Sequence, residues 1–203
     1  MGKSYHHGDL RQALITATLD LIQEDQVHLI GFRELARRLD VSRTAPYRHF
    51  ESVEQLLVVV VEEGFRKFIA ALDKVSGDAA LSGKQRIIAL GVAYVEFALE
   101  HSAHYRLMFE PQFFKKGRFP TIQALSRRSI RLLKEACALC LPEDAGEAEQ
   151  RHMANLAWAA VHGMARLFID GQWNHIKNRP EFIRESCEKF LGSLGTDGGG
   201  RCL

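Results

Sequence analysis

The sequence lacks any long apolar run. Its longest, LLVVVV at residues 56–61, falls far short of the ~20 apolar residues that a bilayer-spanning helix needs. The opening segment MGKSYHHGDLRQ has no apolar core of the kind found in signal peptides. Gly2 invites a myristoylation motif, but that motif needs Ser or Thr at position six, where this chain has His6. These absences predict a protein that neither spans a membrane nor leaves the cytoplasm.

Cysteine is scarce, and the common catalytic motifs are missing. The four cysteines include a C-x-x-C pair, Cys137 and Cys140, within LLKEACALCL, which is typical of an amphipathic helix, so we predict buried or idle thiols with no redox or metal role. The histidines are scattered without the H-E-x-x-H spacing, and no G-x-S-x-G, P-loop or Rossmann glycine pattern occurs. The sequence therefore predicts neither an enzyme, nor a cofactor, nor a metal site.

Excess charge of one sign is also missing. The formal net charge is +2 over 203 residues, too small to indicate a nucleic-acid partner by itself. With 46% hydrophobic and 26% charged residues the composition is that of a globular protein. If the protein binds nucleic acid, its positive charge must be local.

What the sequence has in abundance is helical periodicity. Apolar residues recur at the 3.6-residue period in nearly every segment, and no alternating strand pattern stands out. We predict an all-α protein of about nine helices. A three-helix unit precedes a long helix that starts at Ser52, so we expect a first domain at residues 1–55, a helical second domain at 56–194 and a flexible tail at 195–203.

The most informative segment is VSRTAPYRHF at residues 41–50. A short helix at 32–39 and the turn DVS precede it, and two short helices joined by such a turn form the helix-turn-helix pattern. Ser42 is a suitable N-cap for the second helix. Pro46 then falls near its fourth position and removes one early backbone hydrogen bond. In this motif the second helix enters the DNA major groove with its N-terminal residues against the bases.

The stretch FRELARRLDVSRTAPYRHFESVEQLL resembles the signature of the tetracycline-repressor (TetR) family of transcriptional regulators. The segment WAAVHGMARLFIDG, with its Trp158-x-x-x-His162-Gly163, is similar to a motif of a C-terminal ligand-binding domain in that family. The resemblance implies a homodimeric repressor that binds double-stranded DNA at an inverted repeat and is released by a small-molecule effector. Three positions depart from the family pattern: Gly31, Asp40 and Val53.

The chemistry of the segment assigns roles to individual residues. Between positions 33 and 50, five arginines stand against two carboxylates, which gives a local charge of +3. At least one of Arg37 and Arg38 should pair with Glu34 or lie on a solvated face. Arginine can hydrogen-bond to guanine, and the methyl groups of Thr or Ala can contact a thymine methyl. Hydroxyl and imidazole groups can hydrogen-bond to phosphates. The predicted DNA contacts are Arg33, Ser42, Arg43, Thr44, Ala45, Tyr47, Arg48 and His49, of which Arg43, Thr44 and Ala45 are the base readers.

The remaining helices are rich in large apolar side chains with isolated polar ones. By the resemblance they form an effector cavity, with a largely apolar effector oriented by His162 and Arg166; the alternative is that the same residues are ordinary core. The predicted ligand-binding residues are Phe65, Tyr94, Phe97, Met108, Phe109, Trp158, His162 and Arg166. We also expect two apolar stripes to form a dimer interface: Leu156, Ala160, Met164 and Phe168, then Ile183, Cys187, Phe190 and Leu194.

A second function class stays open at this point. The three departures from the family pattern would also suit a helical ligand-binding or interaction protein that has lost specific DNA binding. Salt dependence separates the two, because binding that neutralises phosphates weakens steeply with salt.

Overall fold

The helical periodicity is reproduced throughout the computed structural model, which describes residues 10–142 and 144–193, with the backbone alone at 191–193. This part of the chain contains no strand, so the predicted all-α class is confirmed. None of its helices is long and apolar enough to cross a membrane. The predicted tail at 195–203 lies outside the described residues.

Eight α-helices and three short 3-10 helices make up the described chain. The α-helices are α1 Leu10–Gln23, α2 Phe32–Arg38, α3 Val53–Ser76, α4 Gly83–Glu100, α5 Ser102–Met108, α6 Pro120–Ala138, α7 Glu147–Ile169 and α8 Arg179–Ser193. The 3-10 helices are Val27–Leu29, Pro46–Arg48 and Pro111–Phe114. The predicted helix that is missing from the α-helices is the one after the DVS turn, which forms the second 3-10 helix instead.

The chain divides into two compact units, and the division differs from the predicted domains. The first holds the described residues up to 64 together with 102–122, and the second holds 65–101 and the described residues from 123 on. The predicted boundary at 55/56 and the observed one at 64/65 both fall inside α3. The segment 102–122 joins the first unit because α5 packs on α1, where Ser102 donates to Gln23 at 2.9 Å and Arg106 to Asp25 at 2.7 Å.

The first unit is built around the apolar face of α1. Leu14 and Leu21, seven residues apart on that face, are fully buried, as are Leu35 of α2 and Leu56 of α3. The N-terminus of α3 is capped by the Ser52 hydroxyl, which accepts from the Gln55 N–H at 3.1 Å, while the Gln55 side chain accepts from the Glu51 N–H. This is close to the expected capping box, shifted by one residue at its second bond.

The second unit is organised by α4, which packs against both α7 and α8. This arrangement corrects part of the predicted interface stripes, because Met164, Phe168, Ile183 and Cys187 are buried within the single chain. Leu156 and Phe190 of the same stripes are exposed, and Leu194 lies outside the described residues. Amphipathic periodicity had indicated a buried face without indicating what covers it.

Three of the four cysteines lie in the described part of the chain. Cys137, Cys140 and Cys187 are buried thiols there, as the sequence predicted, and Cys202 lies outside the described residues. Burial raises the pKa of the Cys137 thiol to about 12 and that of Cys187 to about 11. Because the thiolate is the reactive form, these thiols are inert near neutral pH.

Candidate functional site

The turn after α2 positions the segment that carries the predicted base readers. The Val41 N–H donates to the Ala36 carbonyl at 3.0 Å and closes the end of α2. Asp40 adopts φ 52°, in the left-handed region where Gly is the usual residue. Aspartate tolerates this conformation better than most residues, so the departure from the family's glycine is accommodated without altering the turn.

The segment after the turn is a tight 3-10 helix because Pro46 has no N–H. In an α-helix the residue at position 46 would donate to the Ser42 carbonyl; here the Ala45 N–H takes that carbonyl at 3.0 Å. The His49 N–H then donates to the Pro46 carbonyl at 3.0 Å. The predicted regular helix capped by Ser42 was wrong, and the Ser42 hydroxyl lies 3.2 Å from that of Thr44.

Two residues anchor this segment to the first unit, and a third is braced on its surface. Pro46 and Phe50 are buried, and the Arg11 guanidinium lies 5.3 Å from the centroid of the Phe50 ring. The Tyr47 ring meets Phe32 edge-on, with centroids 4.9 Å apart, yet 63% of Tyr47 is exposed. The ring is therefore held by the protein while much of the residue is open to a partner.

The predicted DNA contacts all lie in the first unit, and most are open to solvent. Ala45 and His49 are half-buried. The exposed members of the set are Arg33, Ser42, Arg43, Thr44, Tyr47 and Arg48. This exposure suits contact with DNA, and the role of each residue stays a prediction.

Arg37 and Arg38 are both engaged by Glu34, as the sequence predicted for at least one of them. Arg37 makes a two-pronged contact with the Glu34 carboxylate at 2.8 and 2.7 Å, and Arg38 Nε donates to it at 3.1 Å. These bonds hold the pKa of Glu34 at about 2. Arg38 also reaches Glu24 at 3.0 and 2.6 Å and Gln26 at 2.8 Å. Of the five arginines between positions 33 and 50, the three that do not bond to these carboxylates are Arg33, Arg43 and Arg48.

A surface groove of about 660 Å³ runs beside these residues. Its walls include Arg33, Glu34, Arg37 and Arg43, and its apolar side includes Leu29, which is 41% exposed. The sequence analysis did not predict this groove. The available signal was a pair of apolar residues two positions apart in a polar segment, Val27 and Leu29, both of which are exposed.

Part of the predicted effector set is brought together in the second unit. The Trp158 Nε1–H donates to the Tyr94 hydroxyl oxygen at 3.2 Å, and that hydroxyl lies 3.1 Å from Nδ1 of His162. Since an indole N–H only donates, the Tyr94 oxygen is the acceptor in the first of these bonds. Burial, with the nearby Arg166 charge, lowers the pKa of His162. Sequence reasoning missed Asp170, which holds Arg166 at 3.2 Å.

Ring contacts extend this cluster to Phe97. Phe68 meets Tyr94 edge-on and Phe97 at a tilt, both with centroids 5.0 Å apart. Phe97 in turn lines a groove of about 560 Å³ between α3 and α4. Polar side chains also line this groove, among them Lys67, Lys74, Glu96 and Glu100.

Three other predicted ligand residues are placed elsewhere. Phe65 is fully buried. Met108 and Phe109 belong to the first unit, where Met108 is buried against Gly64 and the Phe109 ring contacts that of Tyr105 at a tilt, with centroids 4.9 Å apart. Their part in ligand binding stays a prediction.

A helical unit that displays an exposed, arginine-bearing turn segment on a buried anchor defines the helix-turn-helix class of DNA-binding proteins. Residues 14–60 match the family model of bacterial regulatory proteins of the tetR family, and residues 87–190 match that of the tetracyclin repressor-like C-terminal domain. The chain belongs to the TetR family, whose members are transcriptional regulators.

The chain is also similar to a curated transcriptional regulator and to solved structures. The HTH-type transcriptional activator FasR of Mycolicibacterium smegmatis is 23% identical over 161 residues, which cover 79% of this chain and 72% of FasR. A solved protein of unknown function from Rhodococcus sp. RHA1 is 30% identical with a TM-score of 0.74, covering 96% of this chain and 100% of its own. The structure of AibR with isovaleryl coenzyme A and operator DNA shares the fold at 17% identity and a TM-score of 0.70, covering 91% of this chain and 97% of AibR.

Proposed function

We propose that the protein is a homodimeric repressor that binds an inverted-repeat operator in the cytoplasm and is released by a small-molecule effector. The observation that carries the DNA-binding part is the exposed Arg43–Thr44 turn, held on the buried Pro46 and Phe50. The relative FasR is named as an activator. We propose repression because the sequence resembles the tetracycline-repressor family.

The dimer is supported by apolar surface that the single chain leaves uncovered. Leu156 of α7 is 40% exposed and Phe190 of α8 is 37% exposed. A Cβ added at Gly163, between them in sequence, would meet no atom of the chain within 4 Å. A second copy that covers this surface would form an isologous twofold interface. Two reading segments spaced by ~34 Å or a multiple would then match an operator with the same symmetry.

The effector is proposed to contact the cluster of Tyr94, Trp158, His162 and Arg166. Its polar groups converge from α4 and α7, and aromatic rings lie beside them. This combination suits a largely apolar molecule with one polar end. AibR has been solved with both an acyl coenzyme A and operator DNA, which supports a small-molecule effector for a protein of this fold.

Release of the operator is proposed to occur by a population shift. Without effector, the dimer holds its two reading segments at operator spacing. An effector releases the operator only if it binds the other state more tightly, and substantial release requires a preference of several kcal/mol.

Selection of bound sites from a random duplex pool, followed by fluorescence anisotropy, tests the proposal. We expect an inverted-repeat consensus and binding that weakens steeply with salt. Arg43→Ala should cost about 1–3 kcal/mol and relax sequence preference at one position of each half-site. Recovery of no consensus would favour the alternative, a helical ligand-binding or interaction protein without specific DNA binding.

A further inference from the structure

One carboxylate stands among the arginines of the groove beside the reading segment. The walls of this groove include Arg33, Arg37 and Arg43, and Glu34 lies among them. A carboxylate in that position is unfavourable for binding a polyanion, because it repels phosphate and competes for guanidinium groups. Its presence calls for a functional explanation as well as a structural one.

The geometry shows what Glu34 does to its neighbours. Both of its oxygens are used by Arg37, at 2.8 and 2.7 Å, although the Arg37 side chain is 71% exposed. A cation that is open to solvent is thus held on the protein by a fork-to-fork contact. With its pKa at about 2, Glu34 remains charged at every pH at which the protein would meet DNA.

Stability alone explains this arrangement poorly. Arg38 ties α2 to the end of α1 through Glu24 and Gln26, and these bonds do not involve Glu34. The Arg37 side chain is 71% exposed, whereas that of Glu34 is 21% exposed, and an ion pair with one partner this open to solvent contributes little to stability. A substitution of Glu34 also removes the 3.1 Å bond from Arg38 Nε, but the bonds of Arg38 to Glu24 and Gln26 remain, so we expect the first unit to stay folded.

We propose that Glu34 is a specificity-determining residue, which withholds Arg37 from DNA phosphates and so suppresses non-specific binding. The inference rests on the proposed DNA-binding function. Phosphate contacts supply nearly all non-specific affinity and carry no sequence information. A non-specific complex can take any register and use every available cation, whereas base contacts fix the register of the specific one. Withholding a cation therefore weakens non-specific complexes more.

The first test is Glu34→Gln, with binding to the selected operator and to an unrelated duplex measured from 50 to 200 mM salt. Each released Arg37 that contacts a phosphate steepens the slope of log K against log salt by about 0.9, so the two subunits of the proposed dimer together add about 1.8, or roughly 60-fold in affinity near 0.1 M salt. We expect this gain on the unrelated duplex, a smaller gain on the operator and a reduced ratio between them. An unchanged slope on the unrelated duplex, or an unchanged ratio, would overturn the inference.

A second pair of variants tests whether Arg37 carries the effect. In the double variant Glu34→Gln, Arg37→Gln the slope should return to the wild-type value. In Arg37→Gln alone the slope should stay at the wild-type value, because Glu34 already withholds that cation. A slope shallower by about 1.8 in the single Arg37 variant would mean that Arg37 contacts phosphate in both subunits of the native dimer, and would overturn the inference.

The matched control is Asp73→Asn. It makes the same charge change and releases Arg128 from a 2.6 Å ion pair in the second unit, so it should leave the slope unchanged. An equal steepening in this variant would attribute the effect to net charge and overturn the inference. A purely structural role for Glu34 predicts a lower melting temperature with weaker binding to both duplexes, which would also overturn it.

Failure of this inference is distinguishable from failure of the proposed function. If the wild-type chain shows no preference for any duplex, the proposed function fails. If it prefers an operator and Glu34→Gln leaves slope and ratio unchanged, only the role of Glu34 fails.

Discussion

Tyr47 shows how a single residue can separate packing from recognition. Its ring is braced edge-on against Phe32, while 63% of the residue is exposed. Tyr47→Phe keeps the ring and removes the hydroxyl that we predict donates to a phosphate. We expect binding of the dimer to weaken about 100-fold, since a hydrogen bond to a charged group contributes roughly 1.5 kcal/mol or more and each of the two subunits loses one.

The loss in Tyr47→Phe should be the same for operator and unrelated duplex, because phosphate contacts do not report sequence. Its melting temperature should match the wild type, whereas Tyr47→Ala should also lower the melting temperature through the lost contact with Phe32. Anisotropy titration and thermal melting measure both effects. Wild-type affinity in Tyr47→Phe would remove Tyr47 from the predicted contacts.

His162 makes a prediction about pH at the same scale. Burial and Arg166 lower its pKa below the ordinary value of 6.5, so the folded protein favours the neutral ring. At a pH between the lowered pKa of His162 in the folded protein and its ordinary value in the unfolded chain, the unfolded chain binds more protons than the folded one. Over that pH range the free energy of unfolding rises with pH. The stabilisation is fully present above pH ~6.5 and is lost as pH falls through the folded pKa.

Thermal melting between pH 7.5 and about 5 measures this contribution. The melting temperature of His162→Gln should fall less on acidification than that of the wild type. His175→Gln replaces an exposed histidine of the same unit, and its melting temperature should fall on acidification by as much as that of the wild type. If the melting temperatures of His162→Gln and the wild type fell in parallel with pH, the His162 ring would not be preferentially neutral in the folded protein.

Individual residues of the site were predictable where local geometry decides. The pairing of Glu34 with Arg37 and Arg38 follows from spacings of three and four residues on a helix, and the structure confirms it. Met108 and Phe109 illustrate the opposite case. Their size and apolarity indicate burial, but the sequence does not reveal in which compact unit they are buried.

Among the elements, the segment at 46–48 shows how one missing donor changes a helix. The pattern VSRTAPYRHF predicted a regular helix, because its capping serine and flanking periodicity suit one. Without an N–H at Pro46 the chain tightens to 3-10 geometry. The position of the proline was visible in the sequence; which hydrogen bond would replace the lost one was not.

The crossing of α5 over α3 supplies a prediction at the scale of elements. A Cβ at Gly64 would lie 2.7 Å from Met108 Sδ and 3.1 Å from His104 Cβ. Met108 is fully buried, and the His104 Cβ is attached directly to the backbone of α5, so it cannot move without the helix. Gly64→Ala should therefore lower the free energy of unfolding by about 1–3 kcal/mol, although alanine is the better helix former by up to ~1 kcal/mol.

A double-mutant cycle in urea unfolding isolates this contact. Met108→Ala alone creates a cavity and should cost about 2–5 kcal/mol. The two costs should sum to more than that of the double variant, because the new methyl group occupies part of the vacated space. Strict additivity would mean that α5 shifts freely away from α3.

For the whole molecule, the helical class and the helix-turn-helix unit were predictable because periodicity and turn chemistry are local properties. The division into units was not, because it depends on which distant segments pack together. Ser102 and Arg106 join α5 to the end of α1 through polar contacts that no local sequence pattern predicts. The buried stripes of α7 and α8 make the same point, since periodicity does not distinguish a neighbour in the same chain from one in a second copy.

The last prediction concerns the second copy. Leu156 is 40% exposed in the single chain, so Leu156→Glu should cost the isolated fold little. In a twofold interface the substitution buries two carboxylates near each other, and an uncompensated buried charge costs about 3–5 kcal/mol. We expect dimer affinity to fall by more than about 100-fold in analytical ultracentrifugation, and operator binding to fall with it because one half-site alone is engaged. The matched control is Leu139→Glu, which changes a residue of the same unit that is 48% exposed and should leave the dimer intact. A Leu156→Glu protein that sediments as a dimer and binds the operator normally would exclude this surface of α7 as the interface.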